Sequence, residues 1–358
     1  MADYAKVDNT TSANLAKVNN VAKANIAKVN NCTQPSSGAT LWVAGLDDAF
    51  AAFASNSDLT SWTVYDARST TATPDYVCLA VGKDASGNKM WCGNWKANNA
   101  EVCYTSDPTD SSTWSTVNLL TQGFEIGWGA DFWCFVGVMT ASNKLVYRSP
   151  DGSTWTAVDV SGATDIDVQA VTALTTDGAG NWWFAQQRRI YKSEDHGASW
   201  ALHTTQAGFN GDIDDLTYTN NTLVVLATGY LYTAASSDTT DFGTGVELGS
   251  GNNAMNIASA GGRVVAAYSA YFWNFTVSGK TITGDGTRID ISTDGHGSAK
   301  CIATDGTTWL IGCDTGDIYR STDPVDASSF SAAVLNLGPP AGGTDDVGDI
   351  KADVYLPL

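Results

Sequence analysis

One pattern recurs roughly every 40 to 50 residues along most of this chain, a period that matches one blade of a β-propeller. It runs as an apolar strand, a Gly or Asp-Gly turn, a Trp-rich strand, a strand ending in Tyr-x-Ser, and an Asp-bearing turn leading to Trp. The clearest copies lie at 136–160, containing YRSPDGSTWTAV, and at 171–203, containing DGAGNWWFAQQRRIYKSEDHGASWALH.

Weaker relatives of the Asp turn follow in register: Asp107 to Trp114, Asp323 to Phe330, Ser57-Asp58 to Trp62, and Ser237-Asp238 to Phe242. These mark six blades. Residues 255–291 supply another, with the turn eroded to Ser278-Gly279-Lys280. The stretch 41–66 holds only three strands' worth of pattern, and 350–356 is a strand without a neighbour in sequence. Joined, they make one blade and leave no open sheet edge. The expected fold is all-β: a seven-bladed propeller over 41–358, with six blades as the alternative. Thirty-five Gly, 13 Trp and 13 Tyr with only 16% charged residues suit many short strands joined by tight turns.

Ser193-x-Asp195-x-Gly197-x-x-Trp200 resembles the Asp-box (BNR repeat) of the sialidase-like propellers, and Ser149-x-Asp151-Gly152-x-x-Trp155 is its form shorter by one residue. The carboxylate and hydroxyl bond within the turn, Gly permits positive φ, and Trp covers the outer core of the blade. In that family the box is structural and sits away from the catalytic face. The resemblance implies three arginines on a substrate carboxylate, a Tyr–Glu nucleophile pair and an Asp acid. Here Arg148, Arg188, Arg189 and Arg320 precede Asp turns in third strands, no Arg-Ile-Pro motif opens the propeller, and Glu101, Glu125, Glu194 and Glu247 are the only glutamates. No catalytic residue is assigned, and a non-enzymatic role is expected. Trp91, Trp128, Trp133, Trp182, Trp183, Trp273 and Trp309 lie in strands and are expected in the core.

The first 34 residues repeat differently. Tyr4-Ala-Lys-Val7, Leu15-Ala-Lys-Val18 and Ile26-Ala-Lys-Val29 align at eleven-residue spacing. Eleven residues fit three helical turns, so Tyr4, Val7, Leu15, Val18, Ala22, Ile26 and Val29 would form one stripe on a short α-helical segment. A helix so rich in Asn needs a partner surface to be stable. Residues 35–40 read as a linker. The segment resembles N-terminal repeats of phage structural proteins, tail-fibre and decoration proteins among them, with Asn where those repeats carry Gly. That resemblance implies docking on other virion proteins through 1–34, and a homo-oligomer, with a trimer as one option.

Asp165-Ile-Asp167, Asp212-Ile-Asp214-Asp215, Ile289-Asp290-Ile291 and Asp349-Ile350 recur at the approach to a blade's first strand. Asp167, Asp214, Asp290 and Asp349 are therefore candidate ligands for Ca²⁺ or Mg²⁺ at a channel mouth, against the simpler reading that each caps its own turn. No other cofactor is expected. His196, His203 and His296 are too few and too scattered for a metal site.

A formal charge of −19 repels phosphate backbones, so nucleic acid is a poor partner. The apolar runs are too short for a membrane span. Seven cysteines without a C-x-x-C pair read as buried thiols of a reducing compartment, and the N-terminus shows no secretion signal. The combined expectation is a virion structural protein assembled in the host cytoplasm, its propeller displayed as a tail-fibre or spike head for host-surface glycan. Capsid or neck decoration and a sialidase-type hydrolase are the alternatives.

Overall fold

The structure, a computed structural model, describes residues 17–18, 21–22, 40–46, 50–55, 58–66, 77–96, 100–119, 123–138, 144–163, 166, 171–205, 209–235, 237–248, 256–269, 271–284, 288–290, 297–324 and 347–353. The chain divides into two units, Met1–Ala39 and Thr40–Leu358.

In the first unit, Lys17–Val18 and Val21–Ala22 pair antiparallel, with Val18 opposite Val21. The helix expected over 1–34 is therefore corrected at Val18 and Ala22, which are strand. The β-branched Val18 and Val21 favour extended backbone over helix. Tyr4, Val7, Leu15, Ile26 and Val29 lie outside the described residues.

The second unit is a β-propeller of seven sheets. From the innermost strand outward, blade 1 is Val347–Ala352, Leu41–Leu46, Phe50–Ser55 and Asp58–Asp66. Blade 2 is Val77–Lys83, Lys89–Lys96, Ala100–Thr105 and Ser115–Asn118. Blade 3 is Gly123–Gly129, Phe132–Gly137, Lys144–Ser149 and Thr156–Asp159. Blade 4 is Ala173–Thr176, Trp182–Gln186, Arg189–Ser193 and Ala201–Thr205. Blade 5 is Ile213–Thr219, Thr222–Ala227, Tyr230–Ala235 and Val246–Glu247. Blade 6 is Asn256–Ala260, Arg263–Tyr268 and Tyr271–Ser278, the last pairing with both Thr281–Thr283 and Arg288–Asp290. Blade 7 shows Ala299–Thr304, Trp309–Cys313 and Ile318–Ser321 among the described residues.

Burial explains the count of seven. The buried apolar side chains fall into seven clusters, each shared by two adjacent blades, and together they run once round the ring. Trp182 of blade 4, for example, packs with Cys134, Val136 and Leu145 of blade 3. Trp42, Trp91, Trp133, Trp182 and Trp183 are fully buried, and each aromatic of that size buries on the order of 150–250 Å². Of the tryptophans expected in the core, only Trp128 is half-buried. It covers Gly82 of blade 2, where an added Cβ would lie 2.2 Å from the Trp128 ring.

The C-terminal strand does complete blade 1. Ile350 stands opposite Ala44, and Val347, Ile350 and Ala352 are buried in the cluster between blades 7 and 1. It spans Val347–Ala352 rather than 350–356, because Val347 is the residue whose burial begins the pattern; residues 354–358 are outside the described set.

The two clearest Ser–Asp turns form the network their residue types call for. Ser149 Oγ donates to Asp151 Oδ1 (3.0 Å) and accepts from the N–H of Gly152 (2.8 Å), while that carboxylate accepts from the N–H groups of Ser153 and Thr154. Trp155 Nε1 donates to the Gly152 carbonyl at 3.0 Å. Ser193, Asp195, Gly197 and Trp200 repeat it, with Trp200 Nε1 on the Gly197 carbonyl at 3.1 Å. Two of the weaker turns share parts of it: Trp62 Nε1 donates to the Leu59 carbonyl, and the Asp323 N–H to Ser321 Oγ. Around Asp107 the chain forms the 3₁₀ turn Ser111–Thr113, capped by Asp110. Among the described residues no helix is long and apolar enough to cross a membrane.

Candidate functional site

The seven innermost strands surround a central cavity of about 1150 Å³. They run in the same sense. Asp215, near the start of its strand, reaches Ile257 near the start of the next, and Thr219 at the far end accepts from the Gly262 N–H. One mouth is therefore rimmed by strand starts, the other by the turns that follow.

A bulge sets the chemistry of the first mouth. In blades 1, 3, 5 and 7 the innermost strand carries one extra residue against its partner, and Asp349, Glu125, Asp215 and Cys301 follow it. A bulge bends the strand and redirects the next side chain. Three of the four then reach the neighbouring blade. Asp349 Oδ2 accepts from the Leu79 N–H (2.8 Å), Asp215 Oδ2 from the Ile257 N–H (2.8 Å), and Cys301 Sγ lies 3.4 Å from the Val347 carbonyl as donor. The second oxygens of the two aspartates take the N–H of the following residue, Ile350 at 2.8 Å and Leu216 at 2.7 Å.

Glu125, one methylene longer, lines the cavity and, among the described residues, accepts no hydrogen bond. Lys351, on the same strand as Asp349, binds it at 3.0 Å. The charges interact strongly. Burial, and then Asp349 and Asp215, push the Glu125 carboxyl well above the usual range, with Lys351 partly opposing. Burial raises Asp215 to about 7 despite the N–H groups of Ile257 and Leu216. For Lys351, burial favours loss of the proton, but Asp349 and Glu125 outweigh it and hold the ammonium charged.

Of the metal candidates, Asp214 and Asp349 line the cavity. Asp349 is engaged as above. Asp214 also lines the cavity, where its Oδ2 accepts from the Thr228 N–H at 2.8 Å and burial raises it to about 6. Asp290 is exposed in Arg288–Asp290, away from the lining residues, and Asp167 lies outside the described residues. Among the described residues no three His, Cys, Asp or Glu side chains form a group able to hold a metal ion. Asp214 accepts from the Thr228 N–H, and Asp349 accepts from the N–H of its neighbour Ile350 and of Leu79 on the next blade.

Glu125 and Lys351 were not singled out by the sequence as site residues, and Asp215 stood in the Asp212-Ile-Asp214-Asp215 motif without being named a candidate. The available signal was a lone charge within an apolar strand: Glu125 in Gly-Phe-Glu-Ile-Gly-Trp, and Lys351 between Ile350 and Ala352. The same holds for a second turn device. Asp84 and Asp177, each four residues before an Asn, accept from backbone N–H groups and from that Asn side chain, at Asn88 and Asn181.

The described arginines stay off the cavity. The Arg148 guanidinium lies 4.2 Å over the Phe132 ring, Arg188 pairs with Asp212, and Arg263 pairs with Asp323. Arg189 and Arg320 are likewise absent from its lining. Cys78, Cys92, Cys103, Cys134, Cys301 and Cys313 are buried free thiols, as expected; Cys32 is outside the described residues.

No family model and no curated protein matches the chain. Solved structures do. The WD40 β-propeller domain of Doa1 superposes with a TM-score of 0.56 at 11% identity, covering 80% of this chain and 90% of that one. A structure described as YCF48 bound to D1 peptide superposes with a TM-score of 0.54 at 13% identity, covering 77% and 89%. At such identities the likeness establishes the β-propeller fold alone.

Proposed function

We propose that this chain is a non-enzymatic structural protein of a virus particle: the N-terminal segment docks on other virion proteins, and the propeller is displayed outward to bind the host surface. The observation that carries this is the division of the chain. A separate unit, Met1–Ala39, bears the eleven-residue repeat resembling phage structural proteins, and an independent closed ring follows it. The ring is of the sialidase-like Asp-box type, read from Ser149 to Trp155 and Ser193 to Trp200, with the box residues engaged in holding their own turns. A sialidase would need arginines converging on a substrate carboxylate, and the five whose side chains are described lie away from the cavity, which supports a binding role. Host-surface glycan is the proposed target.

A second reading has the head grip a protein segment of a neighbouring virion component, as capsid or neck decoration. It is favoured by the structural neighbour YCF48, whose structure holds a peptide. Removal of residues 1–34 tests the anchor. The truncated chain is expected to keep the thermal transition of the propeller and to drop out of purified particles. A truncated chain that still incorporates would sink the docking role. Binding of the isolated propeller to host envelope glycan, against binding to stripped particles, separates the two readings.

A further inference from the structure

The layer behind the first mouth joins parts of the ring that are far apart in sequence. Asp349 bonds blade 1 to blade 2 at Leu79, Cys301 bonds blade 7 to blade 1 at Val347, and Asp215 bonds blade 5 to blade 6. Two of these bonds fall on Val347–Ala352, the strand that closes the ring. The titratable groups facing the layer are Asp349 and Lys351 from blade 1, Cys78 from blade 2, Glu125 from blade 3, Asp214 and Asp215 from blade 5, and Lys300 and Cys301 from blade 7, with Asp314 beside them, bonded to the Ser298 N–H. The described innermost strands of blades 4 and 6 contribute none. Lys351 binds Asp349, and its charge also acts on Glu125 and Asp215.

We propose that Glu125, Asp215, Asp349 and Lys351 form a proton-dependent lock on ring closure, which holds the C-terminal strand while Glu125 and Asp215 carry protons and loosens it when both are charged. With Glu125 and Asp215 both protonated, Lys351 balances the charge of Asp349, which it binds. With neither protonated, three carboxylates repel one another around one ammonium on the cavity wall, where like charges interact more strongly than in bulk water. The strain falls on the strand that carries both Asp349 and Lys351. Asp215, raised to about 7, places the change around neutrality, and Glu125 is raised as well.

The test is thermal unfolding and residue-resolved hydrogen exchange of the full chain at about pH 5.5 and about pH 8.5, corrected for intrinsic exchange. The Tm of the natural chain is expected to fall by several degrees toward the higher pH, with protection lost at 347–352 and at Leu79 before blade 4. Glu125→Gln removes a charge without removing a hydrogen bond, and should cut that fall to about half or less. Lys351→Met should enlarge it. A Glu125→Gln chain with the same pH dependence as the natural one would overturn the proposal, as would uniform loss of protection across all blades. Should Lys351→Met not fold, the Glu125→Gln result decides.

Discussion

Ser149 and Ser193 each use one hydroxyl three ways, donating to the Asp carboxylate and accepting from two backbone N–H groups of the same turn. That economy is why the turns could be read directly from sequence: every partner lies within a few residues. Gly152 is part of the arrangement, with φ of 73°, and an added Cβ would come 2.8 Å from Cys92 Sγ on blade 2. Gly152→Ala should therefore combine left-handed backbone strain with overpacking, a loss of about 2–4 kcal/mol by urea unfolding. Gly87→Ala has the strain alone, since nothing lies within 4 Å of its added Cβ, and should cost about 1 kcal/mol. Equal losses at the two sites would contradict the packing role. Glu125 and Lys351 were not legible in this way, because their partners lie on other blades.

Blade patterning survives at the level of the element because a blade is local: four strands in chain order, each turn short enough to announce itself by Gly, Asn or Asp. Blade 1 is the exception, assembled from both ends of the propeller, yet it too was readable as a strand left over at one end and missing at the other. Its start was misplaced by three residues, since Val347, Gly348 and Asp349 look like loop until the bulge opposite Gly45 and Leu46 is seen. Removing residues 347–358 should expose the innermost edge of Leu41–Leu46 and the Leu79 side of blade 2. The expected result is loss of a single cooperative transition and self-association in sedimentation, as an unpaired strand edge predicts. A truncated chain that stayed monomeric with an unchanged transition would refute that role of the strand. The N-terminal segment shows the opposite outcome. An eleven-residue period reads as helix, but Lys17–Val18 and Val21–Ala22 pair as strands, where β-branched Val18 and Val21 face each other in place of a thin apolar stripe.

Across the whole molecule the carboxylates divide into two populations with opposite pH signatures. Asp84, Asp110 and Asp238 in turns and Asp159 at a strand end are held below the usual range by hydrogen bonds from nearby side chains and N–H groups. At Asp151 and Asp195 burial pulls upward, but the turn hydrogen bonds outweigh it. A depressed folded pKa contributes stability that is present above the unfolded value and lost as pH falls through the folded one, so Tm should drop steeply below about pH 4. The cavity acids act the other way: their raised folded pKa makes stability decline as pH rises toward about 7, where Asp215 titrates. A Tm maximum between those limbs is expected in a pH series, and a Tm that kept rising down to about pH 2 would contradict the part assigned to the turns. The sequence by itself determined the blade period, the Ser–Asp turns and the need for the last strand to close the ring, because these follow from apolar alternation and from hydrogen bonds spanning a few residues. Only the tertiary structure decided the layer of Glu125, Asp215, Asp349 and Lys351. Its members come together through matched bulges and the curvature of the ring, which place Leu79 against Asp349 across 270 residues of chain, and no local pattern encodes that distance.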